Sequence, residues 1–205
     1  MHRRGGSAQE GGEIRTMGAV TSPVRERLVE AASELFYAQG LRAVSADKII
    51  ERVGTTKVTF YRHFRTKDDL VVAYLEGRAA IEREGVGRAI GRAGGDVDAA
   101  LRLISEGLGA VACSPGFRGC PFINAAAEYP AADSPVRRLV DEHRGWYRTT
   151  FEQLIAPLGL PDRAAVADEL MLLRDGAMVA GYLGDPAAAG GTFLRGCQAV
   201  IRART

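Results

Sequence analysis

Residues 54–70 read GTTKVTFYRHFRTKDDL. Four cations (Lys57, Arg62, Arg65, Lys67), one histidine (His63) and three aromatics (Phe60, Tyr61, Phe64) fall in this stretch, and no anion occurs between 55 and 67. Two chemistries suit such a pattern. One is the solvated basic face of an ordinary amphipathic helix. The other is a surface that meets phosphate and base edges. Charge alone favours the first. The hydroxyls and aromatics that accompany the charge favour the second.

On a helix, Phe60 and Phe64 are four apart and face the same way, so they are expected to point inward. Lys57, Val58, Thr59, Tyr61, Arg62 and His63 are then left on or near the outside. A lysine at the helix start can donate to guanine O6 and N7, and Val58 can touch a thymine methyl. Thr56, Thr59, Tyr61, His63 and Lys67 suit phosphate oxygens. Ser45, Thr55 and Arg62 complete the candidate DNA-contacting set. Asp68 and Asp69 complement the positive end of the helix that follows.

The elements that position these residues are helices. Val24, Leu28, Ala31, Leu35 and Phe36 recur at helical spacing from Pro23, and Gly40 stops that helix. Ser45 caps a short second helix carrying Ile49, Ile50 and Val53, closed by Gly54. Thr55 or Thr56 caps a third, and Thr66 with Asp69 opens a fourth from Lys67 to near Gly91. Two short helices about a tight turn form a helix-turn-helix unit, whose second helix enters the major groove. Beyond it, Asp96, Ser134-Pro135 and Asp185-Pro186 start further helices. A short helix is expected over Phe122 to Glu128. A long one from Ser134 runs through Leu158 until Gly159 and Pro161 break it, and another spans Arg163 to Leu183. No alternating strand pattern occurs. The expected fold is all-α, with about nine helices: a disordered tail over 1–20, a three-helix DNA-binding domain over 21–66, and a larger ligand-binding and dimerisation domain over 67–205. Met17 is an alternative start, and the tail could also act as a DNA-groove arm.

The stretch Gly54-Thr-Thr-Lys-Val-Thr-Phe-Tyr-Arg-His-Phe-Arg-Thr-Lys67-Asp-Asp-Leu70, with LFYAQGLRAVSADKIIERVG before it, resembles the recognition-helix signature of TetR-family transcriptional regulators over about residues 23–75. The resemblance implies a homodimer that binds double-stranded DNA at a palindromic operator. It also implies repression, relieved by a small-molecule effector bound in the larger domain. Asp47 and Ile50 depart from the family pattern in the second helix.

In the larger domain, Gly176, Ala180 and Gly184 lie four apart on one helix face. Glycine costs about 1 kcal/mol in a helix interior relative to alanine, and close approach by another helix would compensate. With Phe193, Leu194, Val200 and Ile201 on the last helix, this suggests a four-helix dimer interface; packing within one subunit is the alternative. A ligand pocket should be apolar with a few polar groups. Phe122, Asn124, Trp146, Tyr147, Met171, Arg174, Asp175, Met178 and Tyr182 are the candidates, although plain core packing explains any one of them.

Composition agrees with a globular protein of 205 residues: 46% hydrophobic, 25% charged and net charge +2. The charge is uneven. Residues 21–70 hold nine Lys/Arg against seven Asp/Glu, residues 71–205 fifteen against sixteen, and the lysines Lys48, Lys57 and Lys67 all lie in the first segment. No apolar run approaches the ~18 residues of a membrane span, and no secretory leader is evident, so a cytoplasmic location is expected. The three cysteines, Cys113, Cys120 and Cys197, have neither disulfide-framework nor zinc-ribbon spacing. Buried or idle thiols are expected, with a Cys113/Cys120 redox pair as the alternative. No metal or other cofactor is implied. The histidines His2, His63 and His143 have no nucleophile or ligand pattern around them, so an enzyme is not expected. The competing function is a helical ligand-binding or interaction module without DNA binding.

Overall fold

The computed structural model describes residues 22–204, which form nine α-helices and one short 3-10 turn. These are α1 (Pro23–Gln39), α2 (Ala46–Val53), α3 (Lys57–His63), α4 (Lys67–Ala93), α5 (Val97–Ala112), α6 (Pro121–Glu128), α7 (Pro135–Ile155), α8 (Arg163–Leu183) and α9 (Pro186–Arg202). The tail expected over 1–20 lies outside the described residues. The chain past Ile155 tightens into the 3-10 turn Ala156–Leu158, so the α-helix ends three residues before the expected Leu158.

Short polar side chains set the helix starts. Ser45, Thr56, Thr66, Asp96, Ser134 and Asp185 each accept a backbone N–H from the turn they precede. Thr66 and Asp69 bond reciprocally: the Asp69 N–H donates to the Thr66 hydroxyl at 3.1 Å, and the Thr66 N–H to the Asp69 carboxylate at 3.0 Å. Gly54 ends α2 in the left-handed region at φ 67°, which lets the chain turn at once into α3.

Leu28, Phe36, Ile49, Phe60 and Phe64 are buried and bind α1, α2 and α3 together. Leu70, Val71 and Tyr74 of α4 close this core, which continues without a break into Phe122, Val136, Val140 and Met178 of α6, α7 and α8. The apolar packing therefore does not divide at residue 66. A second core, around Leu101, Phe151, Leu170 and Phe193, joins the far half of α4 to α5, α7, α8 and α9.

The helix crossings in this second core rest on glycines. A Cβ on Gly190 would lie 2.5 Å from the Ser105 carbonyl oxygen and 3.2 Å from the Gly109 Cα, so α5 and α9 pass backbone to backbone. Gly181 and Gly196 make similar clearances against Ala112 and Leu173. The Gly190→Val variant should therefore lose about 1–3 kcal/mol or more of stability through forced separation of the two helices. Urea unfolding of the variant beside the parent checks this, and an unchanged midpoint would contradict the close crossing.

Candidate nucleic-acid interface

α3 has only seven residues, and its orientation comes from what it buries. Phe60 is fully buried and Phe64 nearly so, their ring centroids 6.0 Å apart. Arg25 of α1 lies over the Phe64 ring at 5.1 Å. With that side fixed, the opposite side faces out: Val58 is 81% exposed and Tyr61 50%. Lys57, Thr56 and Arg62 are exposed, while Thr55, Thr59 and His63 are half-buried. The Thr56 hydroxyl accepts the Thr59 N–H and bonds the Thr59 hydroxyl at 3.0 Å. The Ser45 hydroxyl accepts from the Lys48 N–H at 3.2 Å. Both hydroxyls thus shape helix starts as well as the surface.

Two candidates carry further structural duties. Lys57 donates to Asp47 at 2.9 Å, and this exposed contact raises its proton affinity. Asp47, on α2, thereby holds the lysine at the mouth of the recognition surface. The Lys67 ammonium donates to the carbonyls of Leu41 (2.9 Å) and Val44 (3.3 Å), so it ties the α1–α2 turn to the start of α4. The His63 Nε2 is buried and has no hydrogen-bond partner among the described residues.

A second polar region lies between α4, α7 and α8. Arg174, 4% exposed, donates to the Glu82 carboxylate at 2.8 Å, to Asp175 at 3.2 Å and to the Cys120 sulfur at 3.1 Å. The Tyr147 hydroxyl donates to Glu82 at 3.0 Å, and the His143 Nε2 lies 3.3 Å from it. Arg144 completes the group on Asp175 at 2.7 Å. His143 stacks on Phe122 at 3.6 Å. Burial works against charge on Arg174, but Cys120, Tyr147 and Glu82 outweigh it and raise its pKa. Burial likewise pushes the Glu82 carboxyl up, while the His143 bond, the Arg174 charge and the Tyr147 bond together hold it below its ordinary value. Sequence reasoning singled out Arg174 and Asp175 but missed Glu82 and found no ligand pattern around His143.

A group with a depressed folded pKa stabilises fully above its unfolded value, near 4.3 for glutamate, and loses that stabilisation as pH falls through the folded value. The urea midpoint should therefore fall as pH drops from about 5 to about 3. The Glu82→Gln variant should show a shallower fall, and equal slopes would sink the assignment.

Only Asn124 and Tyr182 of the expected ligand residues border a cleft of about 240 Å³ at the junction of α1, α4, α6 and α8. Phe122 and Tyr147 are buried, as are Met171, Arg174 and Met178, while Asp175 and Trp146 are half-buried. Trp146 packs under Arg83. Of the expected dimer residues, Gly176, Ala180 and Gly184 are exposed. Phe193 is 1% exposed and faces its own subunit's core, with Leu194, Val200 and Ile201 packed beside the same core. Leu172, Val179 and Leu183, which the sequence reading did not single out, are exposed apolar groups on the face of α8 that carries Gly176. Together with Gly176 they recur at four, three and four residues, which was the available signal. Cys113 is exposed, Cys120 and Cys197 are buried, and all three are unbridged. Burial pushes the Cys197 thiol up to about 12.

Comparison with known proteins agrees with this geometry. The sequence model of bacterial regulatory proteins of the tetR family matches residues 28–74. A TetR-family transcriptional regulator from Streptomyces coelicolor is 41% identical in its solved structure, with a TM-score of 0.83 over 88% of this chain and 95% of that one. A putative TetR transcriptional regulator from Streptomyces avermitilis shares the fold at 23% identity, with a TM-score of 0.77 over 89% and 98% of the two chains. The HTH-type transcriptional activator FasR of Mycolicibacterium smegmatis is 36% identical over 74 residues, covering 36% of this chain and 34% of that protein. The chain matches about a third of the length of that curated relative, and 30% of the regulator SrpR of Pseudomonas putida. No helix among the described residues is long and apolar enough to cross a membrane. The chain belongs to the TetR family and is a DNA-binding transcriptional regulator rather than an enzyme.

Proposed function

We propose that the protein is a cytoplasmic repressor that binds a palindromic operator as a homodimer and leaves it when a small molecule binds. Residues 21–66 read DNA, and residues 67–205 sense the effector and pair the subunits. The observation that carries the DNA-reading assignment is the outward face of α3, where Lys57, Val58 and Tyr61 are exposed on a helix anchored by Phe60 and Phe64. Lys57 and Val58 read base edges. Ser45, Thr55, Thr56, Thr59, Tyr61, Arg62, His63 and Lys67 hold phosphates.

Pairing is supported by the stripe of Leu172, Val179 and Leu183 beside Gly176. An added Cβ at Gly176 meets nothing within 4 Å in its own subunit, which leaves room for a partner helix. Two reading helices related by a two-fold axis match two half-sites about one DNA turn, or ~34 Å, apart.

Selection of bound DNA from a random pool tests the reading. A palindromic consensus is expected, while recovery of unrelated sequences only would overturn it. A reporter driven by that consensus then decides the sign of regulation. The curated relative named an activator matches over only about a third of each chain, so its sign does not carry across.

A further inference from the structure

The junction cleft holds a polar group that the folded chain leaves unanswered. Tyr74 borders the cleft with its ring buried, and its hydroxyl is not among the side-chain atoms sealed away without a partner, so it stays open to the cleft. Burial pushes this phenol above its ordinary pKa, so at neutral pH it remains a donor. Arg118 stands on the same cleft with one guanidinium N–H bonded to the Ala38 carbonyl, and its remaining donors are open.

The acidic group on the wall is already engaged. Glu128 accepts the backbone N–H of Leu41 at 2.9 Å through one oxygen and that of Arg42 at 2.7 Å through the other. The Tyr74 hydroxyl and the Arg118 guanidinium are thus donors on the wall that an acceptor on a ligand can meet. Phe36, Tyr37 and Tyr182 add aromatic surface, with the Phe36 and Tyr74 rings 5.8 Å apart. A volume of about 240 Å³ lies below the ~300 Å³ at the lower end of drug-sized pockets, so it fits on the order of ten non-hydrogen atoms. By contrast, Glu82 and Arg174 between α4 and α8 already satisfy each other.

We propose that this junction cleft is an effector site and that it takes a small aromatic carboxylate. The ring lies against Phe36, Tyr37 and Tyr182, and the carboxylate accepts from the Tyr74 hydroxyl and the Arg118 guanidinium. The proposal rests on the reading of the chain as a ligand-released regulator. The position supplies the coupling. One wall belongs to α1 and the turn after it, and the facing wall to α6, joined across the cleft by Glu128. A ligand that pushes these walls apart loosens Glu128 from Leu41 and Arg42, and with them the support of the reading helices.

The test uses the full chain with benzoate, phenylacetate and 1-naphthoate, each beside its neutral carboxamide, in calorimetry and ligand-observed NMR. At least one carboxylate should bind saturably with a Kd below about 1 mM, and its carboxamide about tenfold or more weaker. Tyr74→Phe and Arg118→Gln should each weaken the carboxylate about tenfold. Tyr74→Phe should keep or raise the melting temperature, because the deleted hydroxyl is open to the cleft; a merely structural hydroxyl would lower it. No binding by any carboxylate, or equal binding to the parent and both variants, would overturn the site. Binding is measured apart from operator affinity on the selected DNA. A carboxylate that needs Tyr74 and Arg118 yet leaves operator affinity unchanged would keep the site and overturn its effector role.

Discussion

Replacing Arg174 by methionine should lower the unfolding free energy by about 3–5 kcal/mol, the usual cost of removing one member of a buried ion pair. Arg174 is 4% exposed and reaches Glu82 on α4, 92 residues away in sequence, as well as Asp175 and Cys120. Its guanidinium also lies over the Tyr147 ring at 4.6 Å. The variant leaves Glu82 with only the Tyr147 phenol and the His143 imidazole in contact. Changing both partners, as Glu82→Leu with Arg174→Met, removes the stranded charge and should recover a large part of the loss. Urea unfolding of the two single variants and the double variant measures this as a coupling free energy, expected to be at least about 1 kcal/mol. Additive losses would mean that the pair contributes packing rather than charge.

Operator discrimination should fall by about 1–3 kcal/mol at a single base pair when Lys57 is replaced by alanine, with little change at the other positions. The mechanism is an exchange of partners. In the free protein Lys57 is held by Asp47, and a base edge must replace that carboxylate. Asp47→Asn should therefore act with the opposite sign and tighten binding, most at low salt. Tyr61→Phe should weaken all sequences alike, because a phosphate contact carries no base information. Lys67→Met should weaken binding and also lower thermal stability, since its ammonium bridges Leu41 and Val44 to α4. Fluorescence anisotropy against the selected operator and its point variants separates these effects. The recognition-helix assignment fails if Lys57→Ala leaves every base preference unchanged.

The helices were legible in the sequence because their ends are chemically marked. Ser45, Thr56, Thr66, Asp96, Ser134 and Asp185 announce helix starts through side chains that bond only their own first turn. The four-residue spacing of Phe60 and Phe64 likewise defined the inner side of α3 from local order alone. Features that depend on distant partners were not legible. Nothing near residue 82 marks Glu82 as the partner of Arg174. Nor does Gly190 reveal that Ser105 and Gly109 press against it, because the signal of a close crossing is a neighbour's backbone. Spacing drew attention to Gly176, Ala180 and Gly184, which are exposed, while the tight contacts within the subunit fell to Gly181, Gly190 and Gly196. Lys67 illustrates the same limit. Its charge suggested phosphate, but its bonds to two carbonyls more than twenty residues earlier required the fold.

The length of α4 gives these contacts a mechanical scale. Its 27 residues span about 40 Å, with Lys67 at one end, Glu82 near the middle and Ala89 in the second core. A rigid rod of that length that tilts by about 5° at one end carries the other end through about 3 Å. Successive phosphates along one DNA strand advance by about 3.4 Å along the helix axis. A tilt of a few degrees is thus enough to put the proposed reading helix out of step with the groove by nearly one nucleotide.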